Sequence, residues 1–312
     1  MLVTALRHPG RLIGLILGMV LSLSALADSR TLDTAYGQVK VEGQPKRVVA
    51  LYEGAVDAAV AVGVKPVAAL ATRGTTGLAR YMDEHAKGVA IVGTARELNL
   101  EAIVAQRPDL ILASPQMPKA QYDLLSSVAP TVVPKTNVYE PDNWKSESRL
   151  FAQALGQAAK MDELIEAVEN RAAQLAEKIK AEYSDEERTA YVVRWMPQGP
   201  MVMSSQLLTA GLLEMLGLQV NDDGLVKEGR PHSDPLSLEN LGRIDSDWLF
   251  LATLNEEGQA ALEAAKKSPA FARMKVVERN RVIPVDGQYW SSATGPIAAQ
   301  KILDDVEAAL LP

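Results

Sequence analysis

The chain has 312 residues, a formal net charge of −7 and no cysteine, and 47% of its residues are hydrophobic. The lack of cysteine excludes a disulfide framework, a thiolate metal site and a cysteine nucleophile. The acidic balance argues against nucleic acid as the main partner, because phosphate binding requires a basic surface. The length fits about two domains, each able to bury its own core.

The N-terminal segment has the organisation of a cleaved signal peptide. Two arginines and a histidine precede an apolar run from Leu12 to Leu23, and small residues follow at Ala25 and Ala27. The run is shorter than the roughly 20 residues that span a bilayer, which disfavours a membrane anchor. We therefore predict that residues 1–27 are a signal peptide. Since the mature chain lacks a cysteine for lipid attachment, we expect it to diffuse in the periplasm and not to be a lipoprotein.

Residues 28–141 alternate short apolar runs with helical patterns. Such alternation predicts parallel strands with helices packed on them. In chain order, the predicted elements are strand Arg47–Leu51, helix Ala55–Val62, strand Pro66–Ala71, helix Leu100–Gln106, strand Asp109–Ala113, helix Tyr122–Val128 and strand Thr131–Val133. These residues are predicted to form an N-terminal α/β lobe.

Residues 142–183 are predicted to connect two lobes through a helix. They are rich in alanine, glutamate, lysine, glutamine and leucine, and they contain no proline. Apolar residues recur at spacings near 3.6 from Met161 to Tyr183, which indicates one amphipathic helix of about six turns. Because a long helix is stiffer than a linker of glycine, serine or proline, we expect little movement between the lobes.

Residues 184–312 repeat the alternation of strands and helices. The predicted elements are strand Tyr191–Trp195, helix Leu207–Leu216, strand Trp248–Ala252, helix Ala260–Lys267, strand Val282–Val285 and helix Ile297–Leu310. A second, C-terminal α/β lobe is therefore expected. The fold class is α/β, with two Rossmann-like lobes that contain mainly parallel sheets.

A short internal repeat supports two similar lobes. Glu101 precedes Asp109 by eight residues, and Glu239 precedes Asp247 by the same distance, within similar helix-to-strand segments. An asparagine or a serine stands two positions before each glutamate, where it is a good helix N-cap. A carboxylate in the first helical turn is favoured by the helix dipole, so capping alone explains both glutamates.

A resemblance to a known family is carried by Arg47–Leu51, Gly93–Ala113 (GTARELNLEAIVAQRPDLILA), Gly211–Gly217 and Val276–Asp286, together with the long helix. The chain resembles the periplasmic solute-binding proteins of ATP-binding-cassette importers for iron complexes, above all the ferric dicitrate and ferric siderophore binders of the helical-backbone class III type. The resemblance covers essentially the whole mature chain. It implies two lobes joined by one backbone helix, with the ligand between them. Relatives of this fold carry haem or cobalamin, so the fold alone does not name the cargo.

The resemblance also implies a role for the two glutamates. In this family, one surface glutamate on each lobe docks on arginines of the membrane permease, and Glu101 and Glu239 occupy the matching positions. Two acids placed symmetrically on two lobes suit a two-fold permease dimer. We therefore expect a monomeric carrier that docks through these residues, and helix capping is compatible with docking.

The ligand site is predicted from the strand ends, because ligands of parallel α/β sheets bind beyond the carboxyl ends of the strands. An arginine follows or ends a predicted strand in each lobe. Guanidinium groups bind carboxylates bidentately, and aromatic rings pack against the organic part of a chelate. The predicted ligand-binding residues are Tyr52, Arg73, Arg194, Trp195, His232, Tyr289 and Trp290. For His232, which lies in a loop rich in turn-forming residues, a solvated surface position is the alternative.

These residues favour an anionic ferric chelate, iron(III) dicitrate or a siderophore complex, as the cargo of a carrier that serves an ABC permease dimer. With three histidines and no thiolate, direct binding of a bare transition metal is disfavoured, and no metal site or cofactor is predicted. Haem held by Tyr52 or Tyr289 is an alternative cargo, as is cobalamin. A periplasmic hydrolase is a remote alternative, since the sequence has no Walker A loop, GxSxG or HExxH motif.

Overall fold

The computed structural model describes residues 29–85, 87–136 and 140–311. The predicted signal peptide, residues 1–27, lies outside the described residues. Within the described part, every helix is too short or too polar to span a bilayer. The described chain begins with an antiparallel hairpin of two strands, β1 (Ser29–Thr34) and β2 (Gly37–Glu42).

A five-stranded parallel sheet forms the centre of the N-terminal lobe. Its strands in chain order are β3 (Val48–Leu51), β4 (Ala68–Ala71), β5 (Ala90–Thr94), β6 (Leu110–Ala113) and β7 (Thr131–Val132). They lie in the order β5-β4-β3-β6-β7. The helices of this lobe are α1 (Glu53–Ala61), α2 (Leu100–Ala105) and α3 (Lys119–Ser126). Strands β3, β4 and β6 are buried along their whole length, which explains their continuous apolar sequences.

Two helices follow the first sheet, α4 (Asn143–Ala154) and α5 (Ala158–Glu182). Gly156, between them, has a φ of +69°, a conformation that glycine adopts without a steric penalty. Helix α5 has 25 residues, so it begins three residues before the predicted helix and ends one residue before its predicted end. One face of α5 is buried, with side chains spaced as the sequence pattern indicated, namely Met161, Ile165, Val168, Ala172, Leu175 and Ile179.

The C-terminal lobe has a second sheet. Its strands are β8 (Thr189–Met196), β9 (Gly199–Val202), β10 (Gln219–Val220), β11 (Trp248–Thr253) and β12 (Val282–Asp286). The order β10-β8-β11-β12 is parallel, and β9 pairs antiparallel with β8. Its helices are α6 (Leu208–Met215), α7 (Glu256–Ala265), α8 (Pro269–Ala272), α9 (Lys275–Glu278), α10 (Gly287–Trp290) and α11 (Pro296–Leu310). Three 3-10 helices in the described chain are Arg80–Met82, Asp185–Glu187 and Leu238–Ile244. The predicted α/β fold is confirmed.

The two lobes share one hydrophobic core. Helix α11 of the C-terminal lobe packs on α1 of the N-terminal lobe and on α5. Ala58 of α1, Val168 of α5 and Ile302 of α11 belong to the same cluster of buried side chains. Separation of the lobes would expose this apolar surface to water, so the shared core opposes wide opening.

The aspartates of the internal repeat perform the same structural task in each lobe. The carboxylate of Asp109, just before β6, accepts hydrogen bonds from the backbone N–H groups of Lys46 and Arg47 at 2.8 Å each. The carboxylate of Asp247, just before β11, accepts a hydrogen bond from the N–H of Thr189 at 3.2 Å. Each aspartate thus ties the start of its own strand to the start of the parallel neighbour, β3 or β8.

Candidate functional site

A cleft of about 620 Å³ lies between the two lobes. Segments at the carboxyl ends of β4 and β5 line it from the N-terminal lobe, and segments at the ends of β8 and β11 line it from the C-terminal lobe. The cavity therefore lies beyond the carboxyl ends of strands from both lobes, which is where ligands of parallel α/β sheets bind. Its volume is within the range of small-molecule sites, which is about 300–1,000 Å³.

The cleft is cationic. Arg73 follows β4, Arg96 follows β5 and Arg194 lies near the end of β8, and all three line the cavity, which has no aspartate or glutamate in its lining. Among the described residues, no carboxylate forms an ion pair with any of these three guanidinium groups. The structure thus brings Arg73 and Arg194 together from opposite lobes, as predicted.

Arg194 is the buried cation of the cleft. Only 4% of this residue is exposed, and its Nε has no hydrogen-bond partner. Burial, together with the nearby charge of Arg73, lowers the pKa of Arg194 to about 10, so it remains a cation at neutral pH. A buried charge without a counter-ion is unfavourable, and an anionic group in the cleft would relieve that cost.

His232 lies at the same cavity as a neutral hydrogen-bond acceptor. Its Nδ1 is 2.8 Å from the carbonyl oxygen of Ser233, so the neutral ring donates from Nδ1 and keeps Nε2 as an acceptor. Burial, followed by the charges of Arg194, Arg73 and Arg230, lowers the pKa of His232. The histidine is half-buried and lines the cleft, so a solvated surface loop does not describe it.

Trp195 and Trp290 do not face the cleft, and their predicted role as ligand-covering aromatics is corrected by the structure. Trp290 is fully buried, stacks on Phe250 with ring centroids 4.8 Å apart, and donates from Nε1 to Asp305 at 2.7 Å. Trp195 is also buried and packs edge-on against Phe271. Because side chains alternate along β8, Trp195 points away from the cleft face that Arg194 occupies.

The two tyrosines of the prediction join the lobes outside the cavity lining. The hydroxyl of Tyr52 lies 3.2 Å from the hydroxyl of Thr294, across the lobe boundary. Tyr289 packs edge-on against Tyr81 and donates to Asp305 at 2.7 Å. Burial is the main cause that raises the pKa of both tyrosines.

Arg96 is a cleft residue that the sequence analysis missed. It follows β5, an edge strand that is only partly buried and was not predicted. The apolar run Val89–Val92 is the signal from which the strand could have been found. With β5 in place, the strand-end rule would have added Arg96 to the site.

The two glutamates of the repeat are exposed, and neither forms an ion pair with a described residue. Glu101 lies in the first turn of α2, whose N-cap Asn99 accepts a hydrogen bond from the N–H of Ala102 at 2.9 Å. Glu239 lies in the first turn of the 3-10 helix Leu238–Ile244. The leucines directly before them, Leu100 and Leu238, are 36% and 39% exposed. Each lobe therefore presents an exposed Leu-Glu pair.

The model of the periplasmic binding protein family matches residues 48–289. The chain belongs to this family. The chain is 28% identical to the probable siderophore-binding lipoprotein YfiY of Bacillus subtilis, over 91% of this chain and 88% of that protein. It is 25% identical to the Fe(3+) dicitrate-binding periplasmic protein FecB of Escherichia coli, over 92% of both chains. The crystal structure of Staphylococcus aureus SirA complexed with staphyloferrin B matches with a TM-score of 0.77 and 28% identity, over 90% of this chain and 98% of that one.

The predicted localisation, a protein that diffuses in the periplasm and is not a lipoprotein, is contradicted by two of the relatives. YfiY and a second Bacillus subtilis relative, YhfQ, are named lipoproteins. Their names point to attachment at a membrane and not to a freely diffusing protein. The prediction relied on the absence of cysteine, which does not by itself establish a localisation, and we do not retain it.

Proposed function

We propose that this periplasmic binding protein captures an anionic ferric chelate, iron(III) dicitrate or a siderophore complex, and delivers it to an ABC permease. The observation that carries the proposal is the cleft itself, in which three arginines meet without a carboxylate. Relatives named for siderophore or ferric dicitrate binding, and a similar structure that holds staphyloferrin B, support the same class of ligand.

The arginines would bind the chelator and not the iron. Each guanidinium can donate two parallel hydrogen bonds to a carboxylate, and a hydrogen bond to a charged group contributes about 1.5–3 kcal/mol. Among the described residues there is no cluster of three or more His, Cys, Asp or Glu that could hold a metal ion. The chelator therefore supplies most of the iron coordination, and the protein supplies shape and opposite charge.

We propose a carrier without enzymatic activity. The family consists of binding proteins, and the serine and histidine that a hydrolase would pair have other hydrogen-bond partners. The Ser205 hydroxyl lies 3.0 Å from Asp222, whereas His232 bonds to the main chain of Ser233. A serine–histidine pair that could activate a nucleophile is therefore not formed by these residues.

We also propose that the monomeric carrier docks on a two-fold permease dimer through Glu101 and Glu239. Both glutamates are exposed, and they occupy equivalent places in the internal repeat. The exposed Leu100 and Leu238 beside them would add apolar contact at each docking point. A pair of equivalent acidic points on two similar lobes fits a partner with two equivalent basic points.

The test of ligand capture is calorimetric titration of the purified protein with ferric citrate. Arg73→Ala, Arg96→Ala and Arg194→Ala are each expected to weaken binding by about tenfold or more, which corresponds to about 1.4 kcal/mol. Arg149→Ala is the matched control, because Arg149 pairs with Asp162 on an exposed surface outside the cleft lining. A change below about twofold in all three cleft variants would contradict an electrostatic site.

A further inference from the structure

A buried carboxylate of the N-terminal lobe caps a helix of the C-terminal lobe. Asp57, on α1, is 0% exposed. Its Oδ1 accepts a hydrogen bond from the N–H of Ile297, and its Oδ2 accepts one from the N–H of Ala298, at 2.9 Å each. These two N–H groups lie at the second and third positions of α11. Ile297 and Ala298 follow Asp57 in the sequence by 240 and 241 positions, respectively.

Helix α11 has no cap of its own. Its N-cap residue is Gly295, which has no side chain, and its first residue is Pro296, which has no N–H group. The N–H groups at the start of a helix have no partner within the helix and need an acceptor. Asp57 supplies that acceptor from the other lobe. A Cβ atom on Gly295 would lie 2.4 Å from Oδ1 of Asp57, so glycine leaves the space that the carboxylate occupies.

Other polar contacts also cross the boundary between the lobes. The backbone N–H of Arg80 donates to Oε1 of the buried Gln288 at 2.8 Å. Arg80 pairs with Asp286 at 2.8 Å, but 62% of the arginine side chain is exposed. An exposed ion pair contributes about 0–1 kcal/mol, because water and salt screen it. The hydroxyl of Tyr81 lies 3.4 Å from Oδ2 of Asp57, which makes it a long third partner of the same carboxylate. Asp57 differs from these contacts because it is a buried carboxylate that accepts two backbone N–H groups from the other lobe.

The hydrogen-bond donors around Asp57 hold its carboxylate in its present position. Burial raises the pKa of Asp57 to about 7, while the N–H groups of Ile297 and Ala298 and the Tyr81 hydroxyl act in the opposite direction. The described partners of the carboxylate are these donors and not a basic side chain. A displacement of α11 relative to α1 would leave a buried carboxylate and two buried N–H groups without partners, which is costly.

We propose that Asp57 is a positioning residue that fixes the angle between the lobes and thereby sets the width of the arginine-lined cleft. Arg73 lies on one lobe and Arg194 on the other, so the spacing of these cations follows the placement of α1 against α11. The consequence for affinity rests on the proposed function, whereas the consequence for lobe geometry does not.

The experiment measures the distance between the lobes directly. The chain has no cysteine, so Ser126→Cys on α3 and Ala260→Cys on α7 provide two exposed sites for spin labels. In this background, Asp57→Asn keeps one acceptor oxygen but places an NH₂ group against a backbone N–H. Gly295→Ala would place a Cβ atom 2.4 Å from Oδ1 of Asp57, so the carboxylate would have to move. Asp162→Asn, an exposed carboxylate on α5, is the control.

We expect Asp57→Asn and Gly295→Ala to broaden or shift the distance distribution and to weaken ferric citrate binding by about tenfold, while Asp162→Asn changes neither. An unchanged distribution in folded Asp57→Asn protein overturns the proposal. A lower melting temperature with unchanged distances and affinity also overturns it, because Asp57 would then be merely structural. If Gly295→Ala does not fold, Asp57→Asn alone decides. If the unaltered protein does not bind ferric citrate, the proposed function fails, and the distances still test Asp57.

Discussion

Arg194 shows how strand geometry selects the functional side chain. Consecutive residues of β8 point to opposite faces of the sheet, so Arg194 enters the cleft and Trp195 enters the core. The sequence placed both at a strand end but did not show which of them faces the ligand, because a shift of one residue reverses the assignment. Burial of a cation without a counter-ion distinguishes Arg194 from an ordinary surface arginine.

Replacement of Arg194 by lysine is predicted to restore only part of the affinity that alanine removes. Lysine keeps the positive charge but lacks the planar fork that binds a carboxylate bidentately. We expect Arg194→Lys to bind ferric citrate more weakly than the unaltered protein but several-fold more tightly than Arg194→Ala, as measured by calorimetric titration. Equal affinity of the lysine variant and the unaltered protein would show that charge alone is recognised.

The stability of the protein is predicted to fall as the pH rises from about 4 to about 7 through the contribution of Asp57. Its pKa is raised by burial from an ordinary 3.8 to about 7, so the folded state keeps a proton that the unfolded chain releases. The stabilisation is therefore complete below about pH 4 and is lost as the pH rises through about 7. Glu147, whose pKa burial raises to about 7, contributes with the same sign.

Urea unfolding across this pH range measures the effect. The slope of unfolding free energy against pH is expected to be shallower in Asp57→Asn, because the amide does not titrate. Each pKa unit corresponds to about 1.4 kcal/mol. Parallel pH profiles for the variant and the unaltered protein would argue against a raised pKa for Asp57.

At the scale of elements, the sequence predicted strands and helices that carry a local pattern. It missed contacts between residues that are far apart in the chain. Each predicted strand and helix is present, because buried strands and amphipathic helices carry their own periodicity. Edge strand β5 was not predicted because its apolar run is short and is followed within the strand by Gly93, which weakens a strand pattern, and Arg96 was lost with it. The capping of α11 by Asp57 had no local signal, since the partners lie 240 or more residues apart.

The short helices that carry the exposed Leu-Glu pairs allow a test of docking separate from ligand binding. The double variant Glu101→Ala, Glu239→Ala is expected to abolish most uptake of radiolabelled ferric iron in cells that depend on this protein. Leu100→Ser with Leu238→Ser is expected to reduce it several-fold. Leu124→Ser is the matched control, because Leu124 is 57% exposed and lies outside the repeat.

Calorimetry on the same variants separates ligand binding from docking on the permease. Substitution of these two glutamates and two leucines should leave the affinity for ferric citrate unchanged, because none of the four residues lines the cleft. Normal uptake by the double glutamate variant, with normal affinity, would exclude docking through these residues.

At the scale of the whole molecule, the lobes are expected to move little when the ligand binds. Helices α1, α5 and α11 share a buried apolar core, and wide opening would expose it. We predict similar radii of gyration for the ligand-free and the ferric citrate-loaded protein, measured by small-angle X-ray scattering. A clear compaction on loading would instead indicate a hinge that opens widely.

The cap that Asp57 provides for α11 also has a consequence for biosynthesis. Asp57 is made early and α11 late, so the amides that begin this helix find their acceptor only on a lobe that was translated long before. A fragment that contains the C-terminal sheet and α11 but not α1 would have to start this helix without its carboxylate. The cap on α11 can therefore form only after α1 has been placed beside it, so this helix depends on an element of the other lobe.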